Sequence, residues 1–186
     1  MTGFRNDLNQ NVEAIIDESG ILCTMDHAHY KVHNGELYEI HYESINLDTA
    51  TPLTILIQTG SKTVHLFYEL AVLGARVDFQ IFRGPTITAE SEDDEIIPSN
   101  LNEKLAGSAV ALTSKFYATF TATADGTEIT QAKKLLLGFA GGVSRVNATV
   151  RQSAERVLAA NTKYLLRATS AADNAVFTFD GIMYEV

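Results

Sequence analysis

The sequence predicts an all-β protein, an antiparallel β-sandwich of jelly-roll-like form that carries an extended N-terminal arm. Three observations point there. From residue 36 onward, short runs of β-branched and aromatic residues alternate with polar ones. Clusters of Gly, Asn, Asp and Ser punctuate those runs at regular intervals. No amphipathic helical pattern extends beyond about two turns.

Residues 1–34 lack a long alternating pattern and read as the arm; residues 35–186 read as the sandwich domain. Short helices are admissible at Asn11 to Glu18 and at Asn102 to Ala109, the second limited by Gly107. The first strand is expected from Glu36 to Ile45, with Tyr38, Ile40 and Tyr42 on one face. Leu53–Gln58 and Thr63–Leu70 flank the cluster Thr59-Gly60-Ser61-Lys62, which reads as a hairpin turn. Arg76–Arg83 alternates most cleanly, with Val77, Phe79 and Ile81 apolar and Phe82 out of phase.

Gly84-Pro85 ends that strand. The following Glu90-Ser91-Glu92-Asp93-Asp94-Glu95 places five carboxylates in six residues, whose mutual repulsion favours a solvated loop. Strands resume at Lys115–Ala122 and Glu128–Leu137 around Ala124-Asp125-Gly126-Thr127, another expected hairpin. Glu155–Leu158, Tyr164–Ala168 and Val176–Tyr184 complete the set, with Gly181 a plausible bulge.

The charge balance disfavours nucleic acid. Fourteen basic residues face 23 acidic ones, a formal charge of -9, and Arg145, Arg151 and Arg156 are too dispersed to form a basic patch. The single cysteine, Cys23, excludes an intrachain disulfide and reads as a small buried apolar group. Met1 to Asn11 is polar rather than a basic run followed by an apolar core, so no secretory signal is expected. Apolar stretches such as Leu70–Ala75 fall short of the ~20 residues that cross a bilayer, and no membrane partner is expected.

No constellation nominates an enzyme, a metal centre or a cofactor. The densest set of ligand-type residues is Asp26, His27, His29, His33 and His41, where His27 and His29 would share one side of a strand; their unpatterned setting argues against a fixed metal scaffold. His65, within an apolar strand, reads as a hydrogen-bonded core or interface residue. The acidic run lacks the central Gly of a calcium loop, Gly138–Gly142 lacks the Lys of a phosphate loop, and no Gly-x-Ser-x-Gly elbow occurs. The absence of Trp weakens a sugar-binding reading, although seven Tyr are present.

Read in order, His33-Asn34-Gly35, Pro52–Thr59, His65–Leu70, Val77–Ile87 with its Gly84-Pro85-Thr86-Ile87-Thr88 exit, Asn100-Leu101-Asn102 and Leu158-Ala159-Ala160-Asn161-Thr162-Lys163-Tyr164-Leu165-Leu166-Arg167 form a recurring series. That series resembles small virion proteins encoded near the major capsid genes of tailed bacteriophages. The chain departs from their pattern in its acidic loop and in Asn100-Leu101-Asn102-Glu103-Lys104, where that family has a basic turn.

The resemblance implies a structural protein without catalysis: a capsid decoration, or cement, protein on the virion exterior, made in the host cytoplasm. Its implied partners are the major capsid protein and itself, as a homo-oligomer and most simply a homotrimer. Phe4, Leu8, Ile15, Ile16, Ile21 and Leu22 of the arm are then the expected capsid or oligomer anchors. The alternative within the same resemblance is a head-fibre or tail-associated module that binds host glycans, and a metal-dependent or carboxylate hydrolase is the more distant one.

Overall fold

The computed structural model describes residues 4–5, 11–16, 22–25, 27–90, 94–102, 104, 111–129, 134–137, 148–151 and 155–186; of 4–29, 90, 134–137 and 148–151 it describes the backbone only. The chain divides into two compact units, residues 1–38 with 100–110 and residues 39–99 with 111–186.

In the first unit, β1 (Phe4–Arg5), β2 (Asn11–Ile16) and β3 (Leu22–Met25) form an antiparallel three-stranded sheet. Phe4 pairs with Val12, Ile15 with Cys23 and Ile16 with Leu22. Asn11–Ile16, which the sequence also admitted as helix, is therefore strand, in keeping with its β-branched Val12, Ile15 and Ile16. Instead the helix of this unit is α1 (His27–His33).

The end of α1 explains two of the sequence motifs at once. Gly35 takes φ 65°, its N–H reaches Val32 O and the N–H of Glu36 reaches Lys31 O, the two bonds of a Schellman cap that needs a left-handed residue at this position. Lys31 and Glu36 pair their side chains across the same turn. From far along the chain, Asn102 Nδ2 donates to Val32 O at 3.0 Å and His33 O at 3.2 Å, while Asn100 Nδ2 donates to Gly35 O at 2.7 Å. The Asn100 carboxamide oxygen in turn accepts from Asn102 N at 2.8 Å, a local turn that sets the two amides in place. His33-Asn34-Gly35 and Asn100-Leu101-Asn102 are thus two halves of one helix-end clamp, which satisfies carbonyls the helix leaves unpaired.

The second unit is an antiparallel β-sandwich. Its long strands are β4 (Tyr38–Leu47), β5 (Leu53–Gln58), β6 (Val64–Leu73) and β7 (Arg76–Arg83). Shorter strands follow: β8 (Thr86–Glu90), β9 (Ser99–Asn100), β10 (Lys115–Tyr117), β11 (Phe120–Ala124), β12 (Thr127–Glu128), β13 (Lys134–Leu137) and β14 (Ala148–Arg151). The chain closes with β15 (Arg156–Leu158), β16 (Lys163–Ser170) and β17 (Ala175–Glu185).

One sheet has the order β10-β5-β16-β7-β12, with β13 also on β7; the other has the order β14-β6-β17-β4-β9, with β15 also on β6. From β4 to β7, and again from β15 to β17, successive strands alternate between the two sheets, as jelly-roll-like sandwiches do. Even-numbered residues of β6 and odd-numbered residues of β17 point inward, so Leu66, Tyr68, Leu70, Phe177, Phe179 and Met183 meet Ile55, Ile57, Phe79, Ile81 and Leu166 in the core. Rings interlock across the sheets: Phe79 lies 5.7 Å from Tyr68 and 6.1 Å from Phe177 between centroids.

This alternation corrects both expected hairpins. Thr59–Lys62 joins β5 and β6, which lie in different sheets, so it is a corner between layers. Ala124–Thr127 does not fold β11 back on β12 either, because β11 pairs with β8 and β12 with β7. Turn residues encode a change of direction, whereas the sheet each strand joins follows from which apolar faces meet. The expected strand Glu128–Leu137 is likewise divided between β12 and β13, and Lys115–Ala122 between β10 and β11.

Candidate functional site

Two polar clusters of the sandwich lie at the end where the strand corners meet the last residues of β17. Glu185 is buried, 8% exposed, because it closes β17 in phase with the inward-facing Phe179 and Met183. Its carboxylate accepts from the backbone N–H of Thr113 at 3.0 Å and of Ser114 at 2.8 Å, from Thr113 Oγ1 at 3.0 Å and from Ser114 Oγ at 2.6 Å. Four donors replace the water this anion loses on burial, and both of its oxygens are engaged.

The same end is laced by Thr59. Its hydroxyl donates to Ala159 O at 2.7 Å and accepts from Thr162 N at 2.8 Å, while Thr59 N reaches Thr162 O at 3.0 Å. Asn161, at φ 51°, turns the chain so that its N–H reaches Gly60 O at 2.7 Å. Tyr164 Oη accepts from Ala159 N at 2.9 Å. Leu158 to Tyr164, singled out in the sequence, is therefore the crossover from β15 in one sheet to β16 in the other.

His65, Glu155 and Tyr184 form a second cluster on the outer side of that end. Antiparallel pairing sets Tyr184 opposite His65, and their rings stack with centroids 4.6 Å apart. Glu155 Oε1 lies 2.7 Å from His65 Nδ1 and 2.7 Å from Tyr184 Oη. An ionised carboxylate can only accept, so the imidazole Nδ1 carries the hydrogen it donates. Burial, reinforced by the Glu155 hydrogen bond and charge, holds the Tyr184 phenol above the usual tyrosine range. His65 is thus a bonded residue of the sheet surface.

Elsewhere on the unit, Asp125 receives both ends of the Arg167 guanidinium, whose carbon lies 5.2 Å from the Phe82 ring centroid. Phe82, which breaks the alternation of β7, is nonetheless buried, in cross-strand register with the buried Leu165, Leu56 and Tyr117 on the other face of its sheet. The hydrogen bond from Arg167, with its charge, keeps the Asp125 carboxyl below the ordinary range against a smaller opposing effect of burial. At the opposite end of β17, Asp173 Oδ1 accepts from Thr49 N and Oγ1, each at 2.9 Å, and Asp48 Oδ1 accepts from Asn174 N at 3.1 Å.

The outer face of the β6–β17 sheet carries apolar side chains in contact with solvent. Ile182 is 42% exposed, Leu73 39%, Val157 60% and Ile45 65%. Ile182 pairs opposite Phe67, and Val157 opposite His65. Interleaved with them are Glu69, Asp180 and His41, whose Nδ1 lies 2.6 Å from Asp180 Oδ1.

The residues expected as anchors fall where little is described. Phe4 belongs to β1, Ile15 and Ile16 to β2 and Leu22 to β3, all within one small sheet; Leu8 and Ile21 lie outside the described residues. His27 and His29 stand on α1, not on a strand, so their spacing does not set them on one face. Among the described residues no group of three or more His, Cys, Asp or Glu is placed to hold a metal ion. Of the acidic run, Glu95 bridges to Tyr117 and pairs with Lys115 at 3.5 Å, and residues 91–93 lie outside the description. Nothing in the local sequence marks Glu185, Thr113 and Ser114 as partners, since 71 positions separate Glu185 from Ser114.

Among the described residues no helix is long and apolar enough to cross a membrane. No family model matches the chain, and no curated protein matches it. Among solved structures, the crystal structure of the infectious bursal disease virus VP2 subviral particle is similar at a TM-score of 0.17 and 11% identity, over 94% of this chain and 45% of that one. The chain thus spans less than half the length of that protein.

Proposed function

We propose that this chain is a non-catalytic virion structural protein, a capsid decoration or cement protein that binds the major capsid shell and copies of itself. What supports this reading is how the polar chemistry is used. Glu185 is saturated by Thr113 and Ser114, Glu155 by His65 and Tyr184, and Asp125 by Arg167, so these groups hold strands together. Ile45, Leu73, Val157 and Ile182, by contrast, are exposed apolar side chains on one sheet face, a surface suited to contact rather than turnover.

Bridging adjacent shell subunits would stabilise the shell by mass action, and repeated weak contacts would add through multivalency. The net negative charge keeps free copies apart before assembly. Phe4, Leu8, Ile15, Ile16, Ile21 and Leu22 of the first unit remain the expected anchors. The test is to add the purified chain to empty shells of the virus that encodes it. Saturable occupancy at a fixed ratio to capsid subunits, with shell disassembly moved to higher temperature, is the expected result. A chain that stays wholly in the supernatant overturns the reading.

A further inference from the structure

The outer face of the sheet that holds β6, β17 and β4 is apolar towards both ends and anionic between them. Antiparallel pairing lays its outward residues in rows, with Phe67 beside Ile182, Glu69 beside Asp180 and Leu73 beside Val176. Val157 adds to the Ile182 end from β15. On the other side of β17, His41 meets Asp180 and Thr49 meets Asp173, so β4 runs opposite to β17 and Ile45 falls toward the Leu73 end. From Phe67 to Leu73 the face extends about 20 Å, at ~3.3 Å per residue.

The middle row is the unusual one. Glu69 and Asp180 stand directly opposite each other, a placement that like charges disfavour. Glu39 and Glu43, both exposed, flank His41 on the same side of β4, and Glu155 lies at the Val157 end. These carboxylates share the face, and the register of β14 sets one arginine, Arg151, beside Glu69. Among the described residues no cation pairs with Glu39 or Glu43.

We propose that this face binds a protein surface on which Lys or Arg stands between apolar side chains, and that it does not bind a second copy of the chain. This rests on the reading of the protein as a shell-binding component and names the chemistry of the shell surface that it takes. The sign of the face chooses among occupants. A second copy applied face to face would set the acidic band against an identical one, and nucleic acid or an anionic lipid surface would be repelled. A wholly apolar partner would strip water from Glu69 and Asp180 and put nothing in its place. A cation over the middle rows supplies charge-assisted hydrogen bonds, while apolar neighbours cover Ile45 and Leu73 at one end and Ile182 and Val157 at the other.

The two kinds of side chain divide the work of such a contact. The exposed carboxylates attract and orient the partner, and salt screens that attraction; the apolar ends contribute by burial, which salt does not weaken. Binding to this face therefore carries a salt dependence that resides in Glu39 and Glu43.

The experiment measures binding of the full chain to empty shells of the virus that encodes it, at rising salt. Wild-type affinity is expected to fall about tenfold between ~0.05 and ~0.5 M salt. Glu39→Gln with Glu43→Gln should weaken binding about tenfold and flatten the salt dependence, and Ile45→Ser with Ile182→Ser should weaken it about as much and leave that dependence in place. Thr86→Lys with Thr121→Lys makes the same change in net charge at exposed positions of β8 and β11, off this sheet, and should leave binding unchanged. Carboxyl footprinting of the unaltered chain, with a carbodiimide and an added amine, removes any dependence on variant folding: Glu39 and Glu43 should be modified in the free chain and protected on the shell. Binding that ignores salt, a Thr86 and Thr121 variant as weak as the Glu39 and Glu43 one, or carboxylates modified alike on and off the shell each overturns the proposal and leaves the proposed function standing. A chain that binds no shell overturns both.

Discussion

Tyr184 lies flat on His65, the two rings 13° from parallel, and both donate to the same Glu155 oxygen. Glu155 thereby ties the start of β15 to β6 and β17. Removing one partner leaves the others in place but short of a bond. Tyr184→Phe and Glu155→Gln should each destabilise the fold by about 1 kcal/mol, and the double variant should lose less than the sum, with a coupling of at least ~0.5 kcal/mol. Chemical denaturation of the four proteins measures it, and strict additivity would show that the shared oxygen contributes nothing.

The same cluster sets a dependence on alkaline pH. The Tyr184 phenol titrates above its ordinary range in the folded chain, through burial first and Glu155 second. In the unfolded chain it loses its proton near pH ~10. The folded state therefore binds the proton more tightly, so its stabilising effect is complete below that pH and declines as pH rises beyond it. Stability measured from neutral pH upward should fall less steeply in Tyr184→Phe than in the wild type.

Glu185 offers the sharpest test of the clasp. In Glu185→Gln, an amide NH2 replaces one acceptor among four converging donors, which leaves at least one of them without a partner. A loss of about 2 kcal/mol is expected, against less than ~0.5 kcal/mol for Glu39→Gln on the exposed side of β4. Thermal unfolding of the two variants side by side decides it.

Gly126 and Gly84 separate backbone strain from steric contact. Both take positive φ, 88° and 70°, but a β-carbon would strike the Arg83 carbonyl at Gly126 and meets nothing within 4 Å at Gly84. Gly84→Ala should cost about 1 kcal/mol and Gly126→Ala more, ~2–3 kcal/mol, because the Arg83–Gly84 backbone must also shift. Equal losses in urea unfolding would mean that the close approach contributes nothing.

In the first unit, Asn102→Ala removes the donor that caps two helix carbonyls and should speed amide exchange over α1 while leaving β16 and β17 as protected as before. Exchange that quickens throughout the chain, or nowhere, would contradict the clamp.

Alternation along the chain determined several of the sandwich strands, but not β1 to β3, β8 or β9, which lie in stretches that read as arm and turn. Leu53–Gln58 and Arg76–Arg83 could be placed to the residue, and Val77, Phe79 and Ile81 could be named as core, because a period of two needs only neighbours in sequence. His65 was legible in the same way, as a polar group in an apolar strand that must find a bond. Only the tertiary structure decided which sheet each strand entered, and so it turned Thr59–Lys62 and Ala124–Thr127 from expected hairpins into a corner and a kink. It alone joined His33-Asn34-Gly35 to Asn100-Leu101-Asn102, and Glu185 to Thr113 and Ser114. The reason is physical: a strand's pattern states which side it must bury, but the choice of partner is made by the packing of whole faces and the satisfaction of buried polar groups, and both depend on residues far apart in the chain.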